Sequence, residues 1–152
     1  MKTESAVWER VSARNDLTAE QALLPERLSE LMTAETQLAA AFFRLARRLP
    51  GADGALMRRF GAQAEARTRK LRTACFLLTG MRAEPRPAEV PFYAAVCEAL
   101  RAQCLLIFSL QKKYDETARE FPACHDLPEH PSSELPQTLR ALTRILEKNL
   151  CR

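Results

Sequence analysis

Three clusters of prolines and glycines decide what this chain can become. They are Pro50-Gly51-Ala52-Asp53-Gly54, the stretch from Gly80 to Pro91, and the stretch from Pro122 to Pro136. Both residue types break helices, proline by lacking an N–H and glycine through its backbone entropy. Between the clusters, apolar residues recur at three-and-four spacing, and no stretch alternates with the period of two that a half-buried strand requires. The chain therefore reads as all-α, with four long helices and three breaks, which is the plan of a four-helix bundle.

The first long helix is expected to open at Pro25, a residue suited to the first helical position, and to close at Pro50. Its inward stripe is Leu28, Leu31, Met32, Glu35, Leu38, Ala39, Phe42, Leu45, Ala46 and Leu49. The second, over residues 54 to 79, gives Leu56, Met57, Phe60, Ala64, Arg67, Leu71, Ala74, Cys75 and Leu78. The third, over 92 to 121, gives Val96, Leu100, Gln103, Ile107, Leu110, Gln111, Tyr114, Ala118 and Phe121. The last, over 133 to 150, gives Leu135, Leu139, Leu142, Ile145, Leu146 and Leu150. A short link makes helices one and two antiparallel neighbours, whereas Gly80 through Val90 is long enough to cross over the bundle. Residues 1–24 read as a short N-terminal helical arm, with a capping-box spacing at Thr18-Ala19-Glu20-Gln21 and a small apolar patch of Val7, Trp8 and Val11. Residues 25–152 read as the bundle.

Size and composition agree with one self-sufficient domain. A chain of 152 residues, 47% hydrophobic and 28% charged, buries roughly 70% of its unfolded surface and needs no staple. Five cysteines without a C-x-x-C pair argue against a disulfide framework or a zinc ribbon and fit a reducing cytoplasm. Met1-Lys2-Thr3-Glu4-Ser5 has no apolar run behind it, so no targeting segment and no membrane span is expected. A net charge of +4 permits an acidic partner without demanding one.

Two charged residues stand on apolar stripes, and around them the sequence resembles a known family. Leu28-Ser-Glu-Leu-Met-Thr-Ala-Glu35-Thr-Gln-Leu-Ala-Ala-Ala-Phe42-Phe43, followed by Ala64-Glu-Ala-Arg67-Thr-Arg-Lys-Leu71 and Cys75-Phe-Leu-Leu-Thr-Gly80, is similar to the first helical hairpin of rubrerythrin-like ferritin-like proteins. The resemblance implies a ferritin-like antiparallel four-helix bundle with a long crossover between helices two and three. An active di-iron centre in that superfamily takes one Glu from each of two helices and a Glu-x-x-His pair from each of the other two, since residues three apart share a face. Carried over, those positions fall on Glu35, on Ala64 and Arg67, on Ile107, and on Leu135 and Thr138. Only Glu35 keeps a ligand. A guanidinium and aliphatic side chains do not coordinate iron, so the resemblance implies a degenerate di-iron site, no resident cofactor, and a binding or structural module rather than an oxidase or peroxidase. The alternative is a metal-binding or redox protein that holds iron or zinc in a rearranged site built from Glu35 with Glu65, or from the loop described next.

A lone buried carboxylate is costly. Glu35 is therefore expected to pair with Arg67 inside the bundle, with Gln103, Gln111 or Tyr114 completing the hydrogen bonds; the competing reading has Arg67 reaching outward along its stem. Cys124-His125-Asp126-Leu-Pro-Glu129-His130 gathers both histidines and supplies Cys124, His125, Glu129 and His130 as metal candidates. Its spacing matches no zinc pattern, and its prolines read as a connection. Arg58, Arg59, Arg67, Arg69, Lys70 and Arg72 make helix two basic, but without interleaved aromatics or a glycine-rich phosphate loop, nucleic acid is not the expected partner. Cys75, Cys97 and Cys104 read as small hydrophobes. The run from Cys104 to Leu110 is apolar nearly all round, so Leu106 or Phe108 needs a cover. A second copy of the chain, forming a homodimer through helix three, is the expected one; the arm is the other candidate.

Overall fold

The computed structural model describes the backbone of residues 2–150 and the side chains of residues 22–150 other than His130. Four α-helices account for the regular structure of the described residues: α1 (Lys2–Arg48), α2 (Gly51–Thr79), α3 (Val96–Glu120) and α4 (Glu129–Leu150), with a single 3-10 turn at Pro122–Cys124. No described helix is long and apolar enough to cross a membrane.

The turn between α1 and α2 is tight because two glycines permit it. Gly51 takes a φ of +59°, a left-handed conformation that L side chains resist. At Gly54 an added Cβ would lie 2.4 Å from the Leu49 carbonyl oxygen and 3.0 Å from that of Ala46, so α2 starts directly against the end of α1. Gly80 ends α2 in the same left-handed region, with φ +70° and its N–H donating to the Phe76 carbonyl at 2.8 Å.

α1 lies against α2 and α3, and α4 lies against α3 and α2, which closes a ring with α1 and α4 on one diagonal. Residues 80–95 leave the far end of α2 and run back along α1. Ser29 Oγ donates to the Glu84 carbonyl at 2.5 Å, and the Arg86 N–H donates to Thr33 Oγ1 at 2.8 Å. Further on, Arg44 reaches the Val90 carbonyl at 2.8 Å, and Arg48 reaches those of Tyr93 and Ala94 at 2.6 and 2.5 Å. The crossover therefore runs parallel to α1 and delivers α3 antiparallel to it. An ion pair from Arg27 to Glu120 and another from Asp53 to Lys148 fix the two ends. Every neighbouring pair in the ring is antiparallel, and one long connection spans the bundle.

The core follows the stripes. All nine inward positions of α1 and Leu49 just beyond its end are buried, as are Met57, Phe60, Ala64, Arg67, Leu71 and Cys75 of α2. Phe42 and Phe60 meet at 5.6 Å between ring centroids, tilted by 55°, a favoured aromatic geometry. On α3 the buried residue of the last turns is Thr117 rather than Ala118, and on α4 Leu150 is exposed.

Four boundaries differ from the sequence reading. α2 begins at Gly51 rather than 54, because the left-handed Gly51 lets the helix start directly after the turn. α1 does not open at Pro25: the helix is continuous from Lys2 and holds Pro25 inside it. Leu24 and Leu28 are both buried on either side of that proline, and this burial offsets the backbone hydrogen bond that proline removes. The capping spacing at Thr18 therefore marks no start, and the patch of Val7, Trp8 and Val11 lies outside the described side chains. α3 begins at Val96 rather than near 92, because Arg44 and Arg48 hold Val90, Tyr93 and Ala94 in the crossover. α4 begins at Glu129, since Pro131 falls in a first turn whose N–H groups lack helical partners anyway.

Candidate functional site

The six positions carried over from the resemblance share one interior. Glu35, Ala64, Arg67, Ile107, Leu135 and Thr138 are all buried, none more than 3% exposed. Ala64, Ile107 and Leu135 supply only hydrocarbon to that space. The hydroxyl of Thr138 donates to the Glu134 carbonyl of its own helix at 3.0 Å.

Glu35 and Arg67 meet in this layer. Arg67 Nε donates to Glu35 Oε2 at 2.5 Å, so the guanidinium does not reach outward to solvent. A third partner, absent from the sequence reading, completes the group: Arg67 Nη1 donates to Glu134 Oε2 at 2.7 Å. Glu134 is 28% exposed whereas Glu35 is fully buried, so the guanidinium links an inner carboxylate to one at the edge of the bundle. Glu134 directly precedes Leu135 on the inward stripe of α4, and charge balance was the available clue to it. A buried arginine next to one costly carboxylate draws any acid within reach.

The residues expected to complete the hydrogen bonds do not. Gln103 and Tyr114 are buried, yet Gln103 Oε1, the Tyr114 hydroxyl oxygen and the second oxygen of Glu35 have no hydrogen-bond partner among the described residues. Gln111 is half-buried. Removal from water dominates the electrostatics of the layer. It pushes the Glu35 carboxyl up to about 7, against the charge and hydrogen bond of Arg67, while the negative charge of Glu134 pushes the same way as burial. Tyr114 is held well above its ordinary value, by burial first and then by the neighbouring Glu35. The arrangement moves the gain and loss of the Glu35 proton up to near neutrality and fills the space beside it with a permanent cation. It offers no coordinating set, because the guanidinium is no ligand and faces the one carboxylate that the resemblance would assign to iron.

No protein family, no curated protein and no solved structure matches the chain. The site is thus judged on its own chemistry.

Among the described residues no group of three His, Cys, Asp or Glu side chains converges as a metal site. In the loop run Cys124 is buried, while His125, Asp126 and Glu129 are exposed. His125 Nε2 lies 2.9 Å from Asp126, and its Nδ1 lies 3.0 Å from the Pro122 carbonyl. The side chain of His130 is outside the described residues. Burial first, and then proximity to Cys75, pushes the Cys124 thiol up to about 11, so at neutral pH it is a thiol and neither a ready ligand nor a nucleophile. Glu65 is exposed on α2 and does not join Glu35. The basic face of α2 loses Arg67 to the core, and Arg72 pairs with Glu84 of the crossover at 3.0 Å.

Proposed function

We propose that this chain is a ferritin-like bundle whose di-iron centre has been replaced by a charged plug, and that it acts as a non-catalytic binding or structural module. The observation that carries the reading is the Arg67 guanidinium seated against Glu35 in the layer where the resemblance expects metal. Two further features support it: the single long connection, typical of ferritin-like bundles, and the hydrocarbon at three of the six carried-over positions. Arg67 supplies the positive charge that the buried carboxylate needs, and so the fold keeps its interior polarity without iron. Protein purified without chelator is expected to contain far less than one iron or zinc per chain, and to consume neither oxygen nor peroxide when ferrous iron is added. Stoichiometric metal with turnover would overturn this reading and favour a rearranged redox site.

The same proposal includes a homodimer. Leu105 and Phe108 are 70% and 59% exposed on the outer face of α3, and Leu106 is half-buried. Large exposed apolar side chains one turn apart are suited to a second copy related by a two-fold rotation. Sedimentation at micromolar concentration is expected to show a dimer that Phe108→Glu converts to monomer; monomer throughout would remove this part of the proposal.

A further inference from the structure

The crossover does not lie flat on the bundle. Between it, α1 and the start of α3 is a cleft of about 310 Å³, within the roughly 300–1,000 Å³ of small-molecule sites. Its walls are apolar, with Leu45 and Ala99 on the bundle side and Val90, Phe92 and Tyr93 on the crossover side. A second cleft of about 210 Å³ shares Ala41, Val90, Pro91, Tyr93 and Gln103 with the first and continues toward Leu106.

Three features of these walls point to a ligand. Gln103 contributes to both clefts and is 5% exposed, yet its Oε1 has no hydrogen-bond partner; such an acceptor is costly to leave unmet. The residues lining the larger cleft include three arginines and no acid. Arg48 is spent on the Tyr93 and Ala94 carbonyls with its guanidinium 5.9 Å from the Phe92 ring centre, and Arg44 uses one nitrogen on Val90. Arg47 makes no hydrogen bond or ion pair among the described residues. Finally, Phe92 is 80% exposed at the mouth, an aromatic face left without an apolar partner.

We propose that this cleft binds a small amphipathic carboxylate whose apolar, preferably aromatic, body carries a hydrogen-bond donor. The carboxylate sits on Arg47 and the free side of Arg44, the body lies between Leu45 and the crossover aromatics, and the donor meets Gln103 Oε1, which is shut off from solvent and turns toward the cleft to accept it. Charge recognition, apolar burial and one buried polar contact are thereby divided among three parts of the site. The inference stands apart from the fate of the iron positions, because none of those six residues lines the cleft.

The test uses 3-(4-hydroxyphenyl)propanoate as the probe, with 3-phenylpropanoate and 3-(4-hydroxyphenyl)propanamide as controls, measured by titration calorimetry and by shifts of cleft resonances in NMR. Saturable binding is expected, weakened about tenfold or more for the amide, as for loss of a charged hydrogen bond. Arg47→Gln, at an exposed position, is expected to weaken the carboxylate to the level of the amide while leaving the fold intact. Gln103→Leu is expected to abolish the preference for the phenol over the phenyl compound, and should that variant fail to fold, the phenol-to-phenyl ratio on the parent chain decides the same point. No saturable binding of any probe at millimolar concentration, or carboxylate affinity unchanged in Arg47→Gln, would overturn the proposal.

Discussion

Arg67→Met is expected to lower stability by about 3–5 kcal/mol at pH 8, the usual consequence of leaving one member of a buried pair without its partner. For a domain of this size that corresponds to a fall in the unfolding midpoint of roughly 10 °C. At pH 5 the loss is expected to be smaller by about 1 kcal/mol, because Glu35, raised to about 7, is charged in the parent chain only over the last unit between pH 5 and pH 8. The sign follows from the direction of the shift. The Glu35 carboxyl is raised from an ordinary 4.5 to about 7, so the folded chain holds a proton that the unfolded chain releases between those values. The Glu35 contribution to stability is therefore fully present below pH 4.5 and is lost as pH rises through about 7, by roughly 3 kcal/mol at 1.36 kcal/mol per pH unit. Removing Arg67 takes away the charge and the hydrogen bond that oppose this shift, which moves the proton's release to higher pH. Thermal unfolding from pH 5 to 8 measures the effect; a midpoint unchanged or raised by Arg67→Met across that range rules out an obligatory pair. The double variant Glu35→Leu/Arg67→Met is expected to regain the parent's stability or exceed it, since well-shaped apolar replacements of buried ion pairs commonly do so, and Glu134 can turn to solvent.

Gly54→Ala is expected to destabilise the chain by about 2 kcal/mol, although alanine is the better helix former by roughly 0.5–1 kcal/mol. The new methyl group would stand 2.4 Å from the Leu49 carbonyl, a backbone atom fixed by its place at the end of α1, and overfilling a site that cannot yield typically costs about 1–3 kcal/mol. Gly61→Ala provides the contrast. Its Cβ would meet the Phe43 ring at 2.8 Å, but Phe43 is half-buried and its ring can swing aside, so the two effects nearly cancel. Urea unfolding of both variants distinguishes these cases; a Gly54→Ala chain as stable as the parent would show that the α1–α2 turn tolerates a side chain.

The helices and their faces were legible because burial in a bundle repeats along each helix with the period of the helix itself. That regularity placed the α1 stripe residue for residue and put Glu35 and Arg67 inside, where a charge on an apolar stripe has few options. Two things escaped it. Glu134 reaches Arg67 across a gap between helices, and no periodicity within α4 distinguishes an acid at the rim from one in water. Pro25 was read as a helix start because proline's local preference is clear, whereas the burial of Leu24 and Leu28 that carries the helix through it belongs to the tertiary structure. The cleft was illegible for the same reason: it exists only where residues 90–93 return to α1, and nothing in the spacing of Gln103 announces an unmet acceptor.

The way the crossover is fastened has a consequence for how such a chain can change. Ser29, Thr33, Arg44 and Arg48 all lie on α1, and what they grip on the crossover is main chain: the carbonyls of Glu84, Val90, Tyr93 and Ala94 and the N–H of Arg86. Every amino acid carries that carbonyl, and all but proline carry that N–H. The instructions for the path are thus written largely on the helix, while the side chains of Val90, Phe92 and Tyr93 take no part in these hydrogen bonds. Substitutions at Val90, Phe92 or Tyr93 can remodel the walls of the cleft without unfastening the loop that forms them, so what the cleft accepts can drift over generations while the bundle beneath it stays the same.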